Sequence, residues 1–499
     1  MNRTSQKGIA LILTLILLFV LSVMAVSLMF VAQTETWSSL NYRLMSQSRD
    51  GAEAGINATA NYLVNTYTEP GGTSDPTSAY NITVSPVQYP ATATSGHDSI
   101  LSGDSSVASN YPVSAVQTAF NSSGVGYGTI AAGNTTINYK SYARLLSMHS
   151  SFTPFGKTTP TTVQTWGITS QAAISGVRSA AVTISATLEQ HITPTFSYAA
   201  FATDNGCSAL QFGGGGTTDS YDHTGALSGG RPVTATNTGN VGTNGNLATN
   251  GNPTTINGTL STPRTGVGTC SSGNVTAWTS SSGHVTGGLV ELPQTVVYPT
   301  PTVPAAGTLD ITSNASCPSV ANMTLAGGTC LSGSVMTLAP AIAGGTMNLH
   351  TLSLTGNKDL HLGTGIYNID SLSETGNTAL VLDSTPVILN VTGSGGGTVV
   401  SLTGGGLTNT AGAFNPLSFQ IVYAGTGTIS LKGGAASVGL LYAPNAAFSF
   451  AGNTDWYGAV IGKDMTDMGG TAIHYDRQLQ NSAFTVGPWM LDSFSWKKY

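Results

Sequence analysis

The chain has 499 residues, of which only 8% are charged, 62 are glycine and 40% are hydrophobic. That balance is too apolar for a disordered chain and too glycine-rich for ordinary helical packing, so an elongated, repetitive all-β body or several folding units is expected. The formal net charge of -6 comes from 22 acidic and 16 basic residues spread thinly, and without a basic run or stripe nucleic acid is not an expected partner.

The first element carries the strongest signal. Arg3 and Lys7 precede a stretch from Ile9 to Thr34, with Leu13, Leu17 and Phe19 in it, that holds no charge. At about 1.5 Å per residue it reaches roughly 39 Å as a helix, enough to cross a hydrocarbon core of about 30 Å. The basic flank predicts a cytoplasmic N-terminus with the rest exported. A secretory signal peptide would need a shorter apolar core and an Ala-x-Ala-like cleavage site. Trp37, Leu40, Leu44, Ala52, Ile56, Ala60 and Leu63 recur at helical spacing, so the helix is expected to continue as an amphipathic element to about Tyr67.

A basic leader ending in Gly8, followed by Ile9-Ala10-Leu11-Ile12 and the uncharged helix, resembles the type IV prepilins, most closely the PilX-like minor pilins, over residues 1 to 67. The resemblance implies removal of leader 1–8 by a prepilin peptidase and methylation of the new amino terminus at Ile9. It implies a single-pass inner-membrane protein before assembly, then the pilus tip or cell surface, with other pilins and minor pilins as partners. The chain departs from major pilins at Ile9, where Phe is usual, and at Leu13, where they carry Glu. That Glu neutralises the terminal amine of a neighbouring subunit, because an unpaired charge among apolar helices is costly. Its loss argues against a repeating shaft subunit and resembles the large tip pseudopilins of type II secretion.

Residues 68–134 read as loops with short strands. Ile137, Tyr139, Ala143 and Leu145 mark a strand; 163–173, a turn near Gly176, and 180–188 mark a hairpin with Val182, Ile184, Ala186 and Leu188 on one face. Residues 68–194 are thus expected to form a small pilin-like sheet on the helix.

From 195 to 487 Gly, Asn and Thr punctuate short apolar runs. The segment 352–370 repeats as 372–390, matching Leu352 with Leu372, Leu360 with Leu380 and Leu362 with Leu382. A period near 20 predicts a right-handed parallel β-helix whose coils stack equivalent side chains into ladders, with Gly and Asn turning the corners. The Pro-rich stretch 292–304 is expected to bridge two runs of coils, and the aromatic tail 488–499 to cap an open end. The texture around 440–476 resembles the Gly-rich domain found behind PilX-like N-termini. Cys207, Cys270, Cys317 and Cys330 would meet an oxidising periplasm, and pairing 207 with 270 and 317 with 330 is expected over zinc, since no CxxC spacing occurs.

Parallel β-helices also host carbohydrate-active enzymes, which need clustered carboxylates. Asp359, Asp370, Asp383 and Glu374 lie scattered; Asp204, Asp219, Asp222 and His223 are commoner as solvated loop residues than as cation ligands; His474-Tyr475-Asp476-Arg477 reads as a polar network closing a final coil. Trp456 and Tyr457 are candidates for stacking on sugar rings, with core packing the commoner fate of such residues. No catalytic set, metal site or cofactor is expected. The favoured reading is a minor pilin or tip subunit acting in assembly priming and adhesion to surface glycans or to host or abiotic surfaces. The alternative is a pilus-displayed carbohydrate-active enzyme or glycan-binding module.

Overall fold

The structure, a computed structural model, describes residues 6–498 apart from 72–73, 134, 153, 159–160, 176–178, 252–253, 281–282, 313–330, 333–334, 394–396, 404–405, 410, 433–436, 454 and 468–469. Arg3, the Gly176 turn, Cys317 and Cys330 lie outside the described residues. The chain divides into two units, one formed by residues up to 152, 162–191 and 487 onward, the other by 153–161 and 192–486.

In the first unit one continuous helix, α1, runs from Gln6 to Asn65. Its apolar stretch is long enough to cross a membrane and is unburied, with Ile9, Leu13, Leu17 and Phe19 all exposed. Beyond Ser48 the helix turns one face inward, burying Ala52, Ile56, Ala60 and Leu63, as their i, i+4 spacing requires. Against it lies a six-stranded sheet. Its strands are β1 (Ile100–Ser102), β2 (Tyr127–Ala132), β3 (Thr135–Phe152), β4 (Thr161–Ile174), β5 (Ala180–Pro194) and the tail strand Phe484–Lys498, in the order β1-β3-β4-β5-tail with β2 on β3. Strands β4 and β5 are antiparallel, with Val182, Ile184, Ala186 and Leu188 buried on one face. Trp166, fully buried, donates its indole N–H to Gln164 Oε1 at 2.9 Å, which satisfies the polar end of the largest core side chain.

The tail corrects one expectation. Expected as a coil cap, the described part of the tail is a strand of the first unit: Phe484–Lys498 adds to the edge of this sheet, and Trp489 and Leu491 pack on its core. A strand of this length gains more by pairing its backbone along a full edge than by covering an end.

The second unit is a β-rich body dominated by parallel pairing. Leu352 pairs with Leu372, Leu360 with Leu380 and Leu362 with Leu382, the rungs implied by the repeat. Strand Gly365–Ile369 pairs with Val387–Val391 and that with Phe419–Tyr423. Their core is a column of Leu, Ile and Val that no single tier could bury alone. Alongside runs a side-chain ladder: Asn368 donates to Asn348 Oδ1 at 2.6 Å, and Asn390 to Asn368 Oδ1 at 2.9 Å.

The order of tiers does not follow the chain. Residues 200–202 pair on one side with 241–243 and on the other with 460–462; 217–221 likewise pair with 472–476. The chain therefore enters this ladder at an interior tier and winds outward to Glu291. It resumes at Ile311, which pairs with Leu352, and winds back. Between these points the Pro-rich stretch lies against several tiers. The Asn244 amide brackets Val296 with two 2.8 Å hydrogen bonds, and Tyr442 donates to the Pro299 carbonyl at 2.7 Å; beyond the stretch, Asp310 meets His350 at 2.8 Å. Cys207 and Cys270 are joined by a disulfide that closes a separation of 63 residues.

Candidate functional site

Two features carry chemistry, and they lie in different units. The first is the apolar half of α1. Gly8 stands within the helix, and Ile9 and Leu13 follow on an exposed, uninterrupted apolar surface. Among the described residues the side-chain hydrogen bonds of this segment are local: Thr14, Ser22 and Thr34 return their hydroxyls to the carbonyls of Leu11, Phe19 and Phe30, so none of these hydroxyls needs a partner outside the helix. At Leu13 the helix offers carbon where a carboxylate would offer charge.

The second is a polar cluster in the second unit. Strand Ala472–Asp476 lies between Thr217–Tyr221 and the start of Asp455–Asp467, so that His474 is the rung between Asp219 and Tyr457. His474 Nδ1 meets Asp219 Oδ1 at 2.5 Å and its ring stacks on Tyr457 at 4.3 Å; Asp455 takes the Arg231 guanidinium at 2.7 Å and lies 4.0 Å from His474 Nε2. Burial pulls the imidazole toward its neutral form, but the hydrogen bonds and charges of Asp219 and Asp455 outweigh it and raise the pKa to about 9. Asp455 is held below the usual carboxylate range, the hydrogen bond with His474 coming first and the Arg231 charge after.

Two residues further along the same strand, Asp476 is fully buried and accepts from His223 Nδ1 at 2.6 Å, from the His223 backbone N–H and from the Gln478 backbone N–H. That bond to Asp476 also raises the His223 pKa. Asp222 accepts from Thr224 through Oδ1 and from Gln478 Nε2 through Oδ2. Asp222, His223 and Asp476 bring ligand atoms within 4.8 Å of one another. The carboxylate oxygens are already engaged by protein donors, as a structural network requires of charges taken out of water. What the cluster does chemically is join strands 253 and 255 residues apart.

The sequence motifs around Asp219-Asp222-His223 and His474-Asp476-Arg477 read as two unrelated groups; the fold makes them neighbours. The second closes no final coil, because its strand is paired on both sides in mid-ladder. Trp456 and Tyr457 are corrected outright as surface-binding candidates. They are 1% and 3% exposed, and Tyr457 is edge-on to Phe414 and Tyr221. The two neighbours point to opposite faces of their strand, Trp456 into the main core and Tyr457 into a separate cluster with Tyr221, Val438 and Phe414, which leaves no ring face for a sugar. Asp204 caps a turn through the Gly206 N–H, and Asp383 pairs with His361 at 2.7 Å.

The PilX N-terminal family model matches residues 7–57, and a family described as a domain of unknown function, DUF7305, matches residues 364–482. No curated protein matches the chain. Among solved structures, the competence-associated pilin ComZ from Thermus thermophilus is similar at 12% identity and a TM-score of 0.27, over 75% of this chain and 88% of that one.

Proposed function

We propose that this type IV pilin-like chain is a minor pilin that occupies the tip of a type IV pilus or a related filament and helps to prime its assembly. Before assembly it is held in the membrane by α1. The leader is removed after Gly8 by a prepilin peptidase and Ile9 is methylated. The parallel ladder of the second unit, read as a right-handed β-helix, is the part displayed beyond the membrane, for contact with surfaces.

Leu13 is the observation that carries the reading. A subunit entering beneath another must offer a carboxylate to the terminal amine above it, since an unpaired ammonium among apolar helices is costly. Leu13 lies on an apolar, exposed helix surface and supplies none. A subunit with nothing above it has no such need. Bulk supports the same place, because a shaft would have to accommodate residues 66–499 of every copy. The reading is structural and not enzymatic, supported by the carboxylates of the polar cluster being engaged in cross-strand hydrogen bonds.

The test is Leu13→Glu. Supplying the carboxylate is expected to let the protein enter below the tip, so copies per filament rise, or elongation stalls at the bulky subunit and filaments shorten. Unchanged copy number and filament length would overturn the role given to Leu13.

A further inference from the structure

The β2–β3 hairpin of the first unit has an outward face that neither the core nor the filament reading uses. Its antiparallel register sets Tyr127 opposite Lys140 and Thr129 opposite Asn138, and alternation puts these four side chains on one face. All four are exposed, Tyr127 by 42%. Between them, Gly128 faces the other way opposite Tyr139, whose buried ring comes within 2.6 Å of where a Cβ on Gly128 would stand. Only glycine lets Tyr139 fill the core there while the outer face stays flat.

This face opens into a cavity of about 430 Å³ that also takes in Asp104 and Asn121. Asp104 Oδ1 lies 3.5 Å from Lys140 Nζ. The two charges offset one another, so the cavity has no net pull on an anion or a cation. It offers hydroxyls and side-chain amides, which donate and accept at once, beside one aromatic face. That combination suits a ligand with many hydroxyls on one edge and a C–H face on the other.

We propose that this cavity binds a neutral sugar unit, mono- or disaccharide in size, with Tyr127 under the pyranose ring and Asp104, Lys140, Asn121 and Asn138 on its hydroxyls. The proposal goes beyond the filament reading and does not rest on it: its failure would leave the placement at the tip untouched.

The test uses the full chain in a detergent without a sugar head group. Saturation-transfer NMR is run with cellobiose, chitobiose, lactose and maltose at about 10 mM, where weak single-site binding is still visible, and with glucuronic acid as a charged control. At least one neutral sugar is expected to show transfer, and glucuronic acid none. Tyr127→Ala should weaken that signal by roughly tenfold, the scale of one lost stacking contact, whereas Tyr127→Phe should keep it. Tyr127 is exposed, so neither variant disturbs the core, and an unchanged circular dichroism spectrum checks this. No transfer from any neutral sugar, or equal transfer to wild type and Tyr127→Ala, would overturn the proposal.

Discussion

In the rung series Leu354, Glu374, Leu402, the middle position carries a carboxyl that is 0% exposed and whose two oxygens have no hydrogen-bond partner among the described residues. Burial, with the negative charge of Asp359 adding to it, raises its pKa to about 8. The sign of the pH effect follows. Below about pH 4.3 the carboxyl is neutral folded and unfolded; above that the unfolded chain ionises while the folded one stays protonated until about pH 8, so stability falls with rising pH across this window. His474 acts in the same sense: its pKa is raised to about 9, so its contribution is complete below about pH 6.5 and is lost as pH rises through 9. Glu374→Leu should therefore raise the melting temperature of the second unit, with a gain that is small near pH 4 and grows to a few kcal/mol by pH 8. A gain independent of pH would show that the carboxyl is not buried neutral. The sequence repeat exposed Leu352, Leu360 and Leu362 as rungs. Counting Glu374 among scattered carboxylates missed that it stands two residues from Leu372, and so on the same inward face.

At the scale of elements, α1 shows how far spacing alone can be read. The stripe Ala52, Ile56, Ala60 and Leu63 followed from helical period, but the helix also lies too close to the sheet for a side chain at Gly51 and Gly55, which carry no hydrophobic signal. A Cβ on Gly51 would overlap Ile137; one on Gly55 would overlap Ser170 and come within 2.7 Å of Ser141 Oγ and 2.8 Å of Tyr139. What meets a missing side chain depends on strands far along the chain, and periodicity does not contain that. Gly55→Val is expected to cost at least about 1–3 kcal/mol through overpacking against β3 and β4. Hydrogen exchange should show protection lost in 137–145 and 166–174 and kept in 372–391; wild-type protection in the first two would contradict the contact. The tail was illegible for a related reason. Its aromatics read as a cap, and its partner β5 lies some three hundred residues earlier.

For the molecule as a whole, the rule that sequence neighbours are spatial neighbours holds inside the repeat and breaks at the joins. Residues 200–221 are paired on both sides, by 241–256 and by 460–476, and the polar cluster of Asp219, His474, His223 and Asp476 sits at that join. A period near 20 reveals stacking but carries no mark of which tier is first, so the interior entry point was beyond reach. The apolar helix was legible because a membrane imposes one length and one composition, and Leu13 stood out only against the major-pilin pattern, which carries Glu at that place. The central claim, a single bulky subunit at the filament tip, is tested most directly by gold-labelling the second unit on sheared filaments. The account predicts label at one end of a filament and nowhere else; regular decoration along the shaft would contradict it.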